Sequence, residues 1–294
     1  MNVYGTEQIR NVVLLGHGGA GKTTVAEALA LVTGVTKRMG KVPDGNTISD
    51  YDKEEVKRQF SISTTLIPLE YQGESGPIKI NLLDTPGYFD FVGEVEEAIS
   101  VADAAIIVVN CKAGIEPGTE KAWEMCEKYK LPRLIFVTNM DDDHASYREL
   151  VVKLETRFGR KIAPFQLPIR ENEKFVGFVN VVKMAGRRFT ELSDYVECEI
   201  PEYVEKNLTI ARDALIEAVA ETNEEYMERY FLGEEFTQEE ISTALREHVI
   251  EGEIVPVMMG SGINCQGFKV LLQSIDKYFP SPDHFECIGV DVST

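Results

Sequence analysis

The sequence predicts an α/β fold: a mostly parallel sheet flanked by helices and interrupted by an α+β insert. Three observations predict it. Short apolar runs alternate with stretches of helical period through residues 1–158. The runs are apolar throughout, as strands covered on both faces are. The alternation stops over 159–252 and resumes over 253–282 with one more strand and helix.

Each element has its own signal. "NVVLLG" (11–16) reads as a buried strand, and Thr23 to Val32 as a helix with Val25, Leu29 and Val32 on one face. Residues 35–60, with "GKVPDGNTISDYDKEE", read as a long polar loop, and a loop of that length in a compact domain is usually functional. "STTLIPLEY" (63–71) and "IKINLLD" (78–84) flank "QGESGP" and read as a hairpin. Phe91, Val95, Ala98 and Ile99 follow at helical spacing. "AAIIVVN" (104–110) is a strand, 117–130 a helix, "RLIFVTN" (133–139) a strand and 144–158 a helix. Within 161–191, "APFQLPI" and "KFVGFVNVV" are strand-like with no helix between them. Over 201–250, Val204, Leu208, Ala211, Leu215 and Val219 mark one helical face. "IVPVMMG" (254–260) and "GFKVLLQSIDKYF" (267–279) restore strand and helix, and "PSPDH" breaks the last helix, leaving 283–294 as a tail.

Composition narrows the chemistry. The 294 residues carry a net charge of -19, which repels phosphate backbones and argues against general nucleic-acid binding, and no direct sequence-specific nucleic-acid binding is expected. No apolar run approaches the roughly 20 residues of a membrane span, and the N-terminus has no signal-peptide pattern. The cysteines (Cys111, Cys126, Cys198, Cys265, Cys287) form no Cys-x-x-Cys pair, which suits idle thiols in a reducing compartment. The histidines lack metal-ligand spacing, so no structural metal is expected.

Three motifs carry chemistry. Gly16-His17-Gly18-Gly19-Ala20-Gly21-Lys22-Thr23, followed by Thr24, matches G-x-x-x-x-G-K-[ST] between a strand and a helix, the signature of a P-loop NTPase-type sheet. Its backbone N–H groups can wrap a β-phosphate, Lys22 can reach the β- and γ-phosphates, and the Thr23 hydroxyl can ligate Mg²⁺. Asp84-Thr85-Pro86-Gly87 ends a second strand, where the carboxylate can hold Mg²⁺ and Gly87 lets a backbone N–H approach the γ-phosphate. Thr138-Asn139-Met140-Asp141 ends a third, where a carboxylate can accept from guanine N1–H and the 2-amino group together; adenine lacks that pair, so GTP is favoured over ATP. Asp141 is the base acceptor in an ungapped reading. A one-residue slip gives a literal N-x-x-D from Asn139 to Asp142, and the alternative stays open. Ser261 and Gly262, after the last strand, can offer N–H groups to the base.

In this order the motifs resemble a GTPase domain, and several stretches resemble elongation factor G among the translational GTPases. "MGKVPDGNTISDYDKEEVKR" is similar to that family's first switch and "INLLDTPGYFDFVGEVEEAI" to its second. "AGIEPGTEKAW" and "YKLPRLIFV" match the following helix and strand. "LPI", "FVGFVNVV", "IPEYVEK" and "YFLGEEFTQEE" resemble its insert subdomain, and "PVMMGSGINCQGFKVLLQSIDKYFPSP" the end of its GTPase domain. The resemblance implies GTP and GDP binding with Mg²⁺, hydrolysis assisted by Lys22, Gly87 and residue 88, and Ser61 as a further Mg²⁺ ligand in place of the family's switch threonine. It implies a cytoplasmic partner, the ribosome, with the insert as a contact for a stalk protein, and further domains after "PSP". A ribosome-protection subgroup shares these features.

Four residues depart from that pattern. The loop aspartate is Gly19, and the histidine that orients the attacking water is Tyr88. A phenol is a poor base near neutral pH. The usual Asn-Lys pair is Thr138-Asn139, so the lysine stem over the guanine face is missing. The departures imply either a divergent GTPase or a guanine-nucleotide switch with little hydrolysis; a P-loop ATP-binding protein is the third expectation.

Overall fold

The structure is a computed structural model and describes residues 2–74 and 76–284. The expected tail from residue 283 falls beyond the described residues from 285 onward, as does Cys287.

The first half of the chain alternates as its periodicity requires. β1 (Ile9–Leu15) leads into α1 (Lys22–Val32), and a short helix, α2 (Lys53–Arg58), precedes the hairpin β2 (Thr65–Gly73) and β3 (Gly76–Asp84). Then come α3 (Val92–Ser100), β4 (Ala104–Asn110), α4 (Pro117–Tyr129), β5 (Arg133–Thr138) and α5 (Tyr147–Phe158). The second half holds β6 (Ile162–Pro164), β7 (Gln166–Glu171), β8 (Lys174–Asn180), β9 (Ala185–Phe189) and β10 (Tyr195–Cys198). Helices α6 (Glu202–Ala220), α7 (Glu224–Phe231) and α8 (Gln238–Glu251) follow, and β11 (Val255–Met259) and α9 (Phe268–Tyr278) return to the first half.

Seven strands form the principal sheet in the order β2-β3-β1-β4-β5-β11-β6, parallel except at the β2–β3 hairpin. Its central strands are apolar throughout because each face has its own core. Val12, Leu14, Ile106 and Val108 pack with α1 and α9, while Val13, Leu15, Ile107 and Val109 pack with α3, α4 and α5. Edge strand β2 alternates instead, burying Ile67 and Leu69 and exposing Leu66, and it tolerates Pro68 as edge strands do.

A second, antiparallel sheet runs β10-β9-β8-β7. Its apolar residues join Val204, Leu208, Leu215 and Val219 of α6 and Ile241 and Leu245 of α8 in a third core. Ala211 is only partly buried against it. The run "APFQLPI" divides between sheets: β6 pairs with β11 in the principal sheet, and β7 pairs with β8. A helix cap ties the two sheets together. The Ser193 hydroxyl, from the turn between β9 and β10, accepts from the N–H groups of Phe268 (2.6 Å) and Lys269 (3.1 Å) at the start of α9.

Candidate functional site

The C-terminal ends of β3, β1, β4, β5 and β11 lie side by side at one edge of the sheet, the edge where open α/β sheets bind ligands. Leu14 stands opposite Asp84 in the β1–β3 register, so the phosphate loop and the D-x-P-G segment begin next to each other. Gly16 (φ 140°), Gly19 (φ 84°) and Gly21 (φ 102°) turn the loop with backbone angles that suit glycine. α1 starts on Gly21 with no side-chain cap, leaving its first N–H groups free for an anion.

Lys22 is buried, and its Nζ donates to the carbonyls of Gly16 and His17, both at 3.0 Å. Burial lowers its pKa to about 8, against the opposing pull of Asp84, Asp50 and Glu116. The His17 imidazole faces away from the loop, its Nδ1 accepting from the Gly118 N–H at the start of α4 (3.2 Å). Gly87 could not carry a side chain: a Cβ there would collide with Lys22 Nζ and lie 2.7 Å from the Gly18 backbone. This contact brings the D-x-P-G backbone onto the phosphate loop.

Asp84 is 1% exposed, and neither of its oxygens has a hydrogen-bond partner. Burial raises its pKa to about 6; the hydroxyls of Ser49 and Thr23 and the charge of Lys22 oppose the rise, although neither hydroxyl reaches bonding geometry. Thr23 Oγ1 and Ser61 Oγ lie 3.3 Å apart, and Ser61 donates to Asp50 (2.7 Å). The other Asp50 oxygen is buried and unpaired, as is the Ser49 hydroxyl, and burial raises the Asp50 pKa. Two hydroxyls beside two buried carboxylates with orphaned oxygens are the donor set of a hard divalent cation, so these residues fit Mg²⁺.

Three acidic residues here escape sequence reading. Asp50 sits in the segment 35–60 beside the candidate metal ligands. Glu27 of α1, 1% exposed, accepts from the Gly40 N–H (2.5 Å) and the Ile48 N–H. Glu55 of α2 accepts from Ile62 (2.8 Å) and Ser63 (3.1 Å) and closes a capping box with Asp52. The long polar loop is thus folded over the site by buried carboxylates, with a helical turn that its sequence pattern hides. Aspartate and glutamate in a polar stretch read as solvated surface; only tertiary contact shows that these are not.

Tyr88 is 45% exposed and packs against Phe60, the rings tilted at 56° with centroids 4.7 Å apart. Gly18, Gly19, Gly21, Lys22, Thr23, Thr24, Asp50, Ser61, Gly87 and Tyr88 line one cavity of about 240 Å³.

At the other end, Thr138 is buried and donates to the carbonyl of Ala20 (2.7 Å), tying the base segment to the phosphate loop. Asn139 adopts φ 59°, a left-handed conformation that asparagine accepts readily. Asp141 accepts from the Ser261 hydroxyl (2.5 Å), so it lies beside the Ser261-Gly262 segment. Asp142 turns outward instead, to Lys112 Nζ (3.2 Å) and the His144 N–H (2.8 Å). A Cβ on Gly262 would collide with Thr24 Cγ2, so that glycine lets the segment close on α1. A larger groove, between α5 and α6, holds none of the sequence-predicted residues.

Among the described residues no helix is long and apolar enough to cross a membrane, and Cys111, Cys126, Cys198 and Cys265 are free thiols.

The fold and its motifs have known counterparts. Residues 7–281 match the family described as elongation factor Tu GTP binding domain. A crystal structure from Thermus thermophilus superposes with a TM-score of 0.88 at 38% sequence identity, over 95% of this chain and 41% of that one. The chain therefore spans about two fifths of that relative's length. With the phosphate loop, the D-x-P-G segment and the insert in place, the chain belongs to the elongation factor Tu GTP-binding domain family and is a GTP-binding domain of a translational GTPase of the elongation factor G type.

Proposed function

We propose that this domain hydrolyses GTP slowly by itself and faster on the ribosome, in a cytoplasmic factor that serves translocation or a related step. The observation that carries this reading is the convergence of Lys22, Thr23, Ser61, Gly87 and Tyr88 on one cavity. Backbone N–H groups of residues 16–21 and the start of α1 cradle the phosphates. Lys22 exchanges its bonds to Gly16 and His17 for phosphate oxygens. Thr23, Ser61 and Asp84, with Asp50 behind Ser61, would hold Mg²⁺, which supplies positive charge against the phosphate oxygens. The Gly87 N–H faces the γ-phosphate, and Tyr88 stands where the attacking water enters. Asp141 reads guanine once its hydrogen bond from Ser261 gives way to the base, with Gly262 alongside. Asp142, engaged outward with Lys112, is the weaker candidate.

The division into 1–158, 159–252 and 253–282 belongs to the same proposal, as does a stalk protein docking on the acidic insert. GTP turnover by the full-length protein, with and without ribosomes, tests the reading. Turnover that ribosomes leave unchanged would defeat it.

One observation favours a second reading, a switch with little hydrolysis. The Tyr88 ring is packed on Phe60, and a phenol replaces the basic group that would position water. Tyr88→His separates the two. A large gain in intrinsic rate marks a hydrolase slowed at this residue. Calorimetry with GDP against ADP tests the base assignment, and equal affinities would remove the role given to Asp141.

A further inference from the structure

Arg170 joins the second sheet to the segment that carries Asp141. β7 is an edge strand of that sheet, and its pairing with β8 slips between Ile169, opposite Gly177, and Arg170, opposite Phe175. Such an irregularity re-aims the side chain beside it. The Arg170 backbone is held from α6: the Tyr203 hydroxyl accepts from its N–H (2.8 Å) and donates to its carbonyl (2.9 Å). The side chain crosses to the loop after β5. Its guanidinium donates through Nη1 to the Glu173 carbonyl (2.7 Å) and through Nη2 to the carbonyls of Met140 (2.8 Å) and Ala145 (3.3 Å).

The last two carbonyls bracket the base segment. The Met140 carbonyl belongs to the same planar peptide unit as the Asp141 N–H, so its orientation sets the direction from which the Asp141 side chain starts. Ala145 closes the far end of the loop, where its N–H donates to the Asp142 carbonyl (3.0 Å). The bond that Met140 makes to the principal sheet, from its N–H to the Gly260 carbonyl, is long at 3.3 Å. A planar guanidinium can hold two carbonyls at a fixed spacing, which a compact ammonium does less well.

We infer that Arg170 is a positioning residue for Asp141: its guanidinium sets the peptide plane before the base-reading carboxylate, so a residue of the second sheet tunes the choice of guanine over adenine. The inference rests on the role given to Asp141 in the function proposed above.

The test is a double-mutant cycle in the full-length protein, with Arg170→Met, Asp141→Asn and the pair, read as the ratio of GDP to ADP affinity by calorimetry. Both affinities come from the same preparation, so any unfolded fraction cancels from the ratio. Methionine keeps an apolar stem and removes the donors. Arg170→Met lowers the preference for GDP about fivefold in the parent background, and less than about twofold beside Asp141→Asn, where the carboxylate it positions is gone. Its ADP affinity changes less than about twofold, because the phosphate contacts are untouched. Arg170→Lys, which keeps a cationic donor without the fork, falls between the parent and Arg170→Met. Loss of GDP and ADP affinity in equal proportion marks a general loosening of the fold and overturns the inference. An Arg170→Met effect of the same size in both backgrounds overturns it too. If Asp141→Asn lowers the preference and Arg170→Met does not, the base reading stands and the inference falls alone. If Asp141→Asn leaves the preference unchanged, the base reading fails and the inference falls with it.

Discussion

The two ends of the nucleotide site are built on opposite electrostatic terms. At the phosphate end the protein buries charge that it does not pair: both oxygens of Asp84 and one of Asp50 lack partners, and Lys22 is bonded only to carbonyls. At the base end the polar groups are already satisfied. Thr138 is bonded to Ala20, and Asp141 to Ser261. On the proposed site, a cation and phosphates would satisfy the unpartnered groups at the phosphate end, whereas the groups at the base end are already bonded to one another. Binding energy accordingly has two uses. On the proposed assignment it would relieve desolvated charge at one end and displace the Ser261–Asp141 hydrogen bond at the other.

Removing charge from the phosphate end gives the largest effects. Lys22→Ala lowers ribosome-dependent turnover by at least about a hundredfold, since a buried charge-assisted contact to phosphate is lost. Asp84→Asn abolishes the dependence of nucleotide affinity on Mg²⁺, measured by titration with and without chelator, yet stabilises the nucleotide-free protein. The sign follows from the raised pKa. The contribution of Asp84 to stability is full below its unfolded value near 4 and is lost as pH rises through about 6. At neutral pH the buried carboxylate costs about 3 kcal/mol, and asparagine removes most of that cost. Unfolding midpoints in nucleotide-free buffer check it; a lower midpoint for Asp84→Asn would show the two ends to be alike.

Substitutions at the base end act on specificity. Asp141→Asn reduces the preference for GDP over ADP by about 10- to 100-fold, while Asp142→Asn changes it less than about threefold. The reverse order would restore the slipped N-x-x-D register. The smallest effect belongs to Thr138→Val, which keeps the shape and loses the bond to Ala20. It speeds GDP release by roughly fivefold, the worth of one neutral hydrogen bond, in a stopped-flow chase.

The same contrast explains what could be read from sequence. Strands such as "AAIIVVN" declare themselves because both faces are buried, and β4 covers the predicted residues 104–110. The phosphate loop is legible because its chemistry is carried by consecutive backbone groups. The cover over the site is not legible. Glu27 follows Ala26 in a helix and Glu55 follows Glu54, and neither position announces that its carboxylate holds a distant backbone N–H. α2 is hidden for the same reason, being six residues long and stabilised by its cap and by Glu55. Strand β6 overlaps the strand-like run "APFQLPI", but three residues have no period of their own, so its pairing with β11 is a property of the sheet.

The Ser193 cap has a consequence for anyone who would graft or delete the insert. Two N–H groups at the head of α9 are sealed by a hydroxyl that reaches the domain from another sheet, next to Gly267 and the Ser261–Gln266 bridge. An excision at the insert's borders would open that helix end to solvent and loosen the loop that carries Ser261. A chimera that swaps inserts must bring a hydroxyl to the same spot, so the insert works as a keystone and cannot be traded as a passenger.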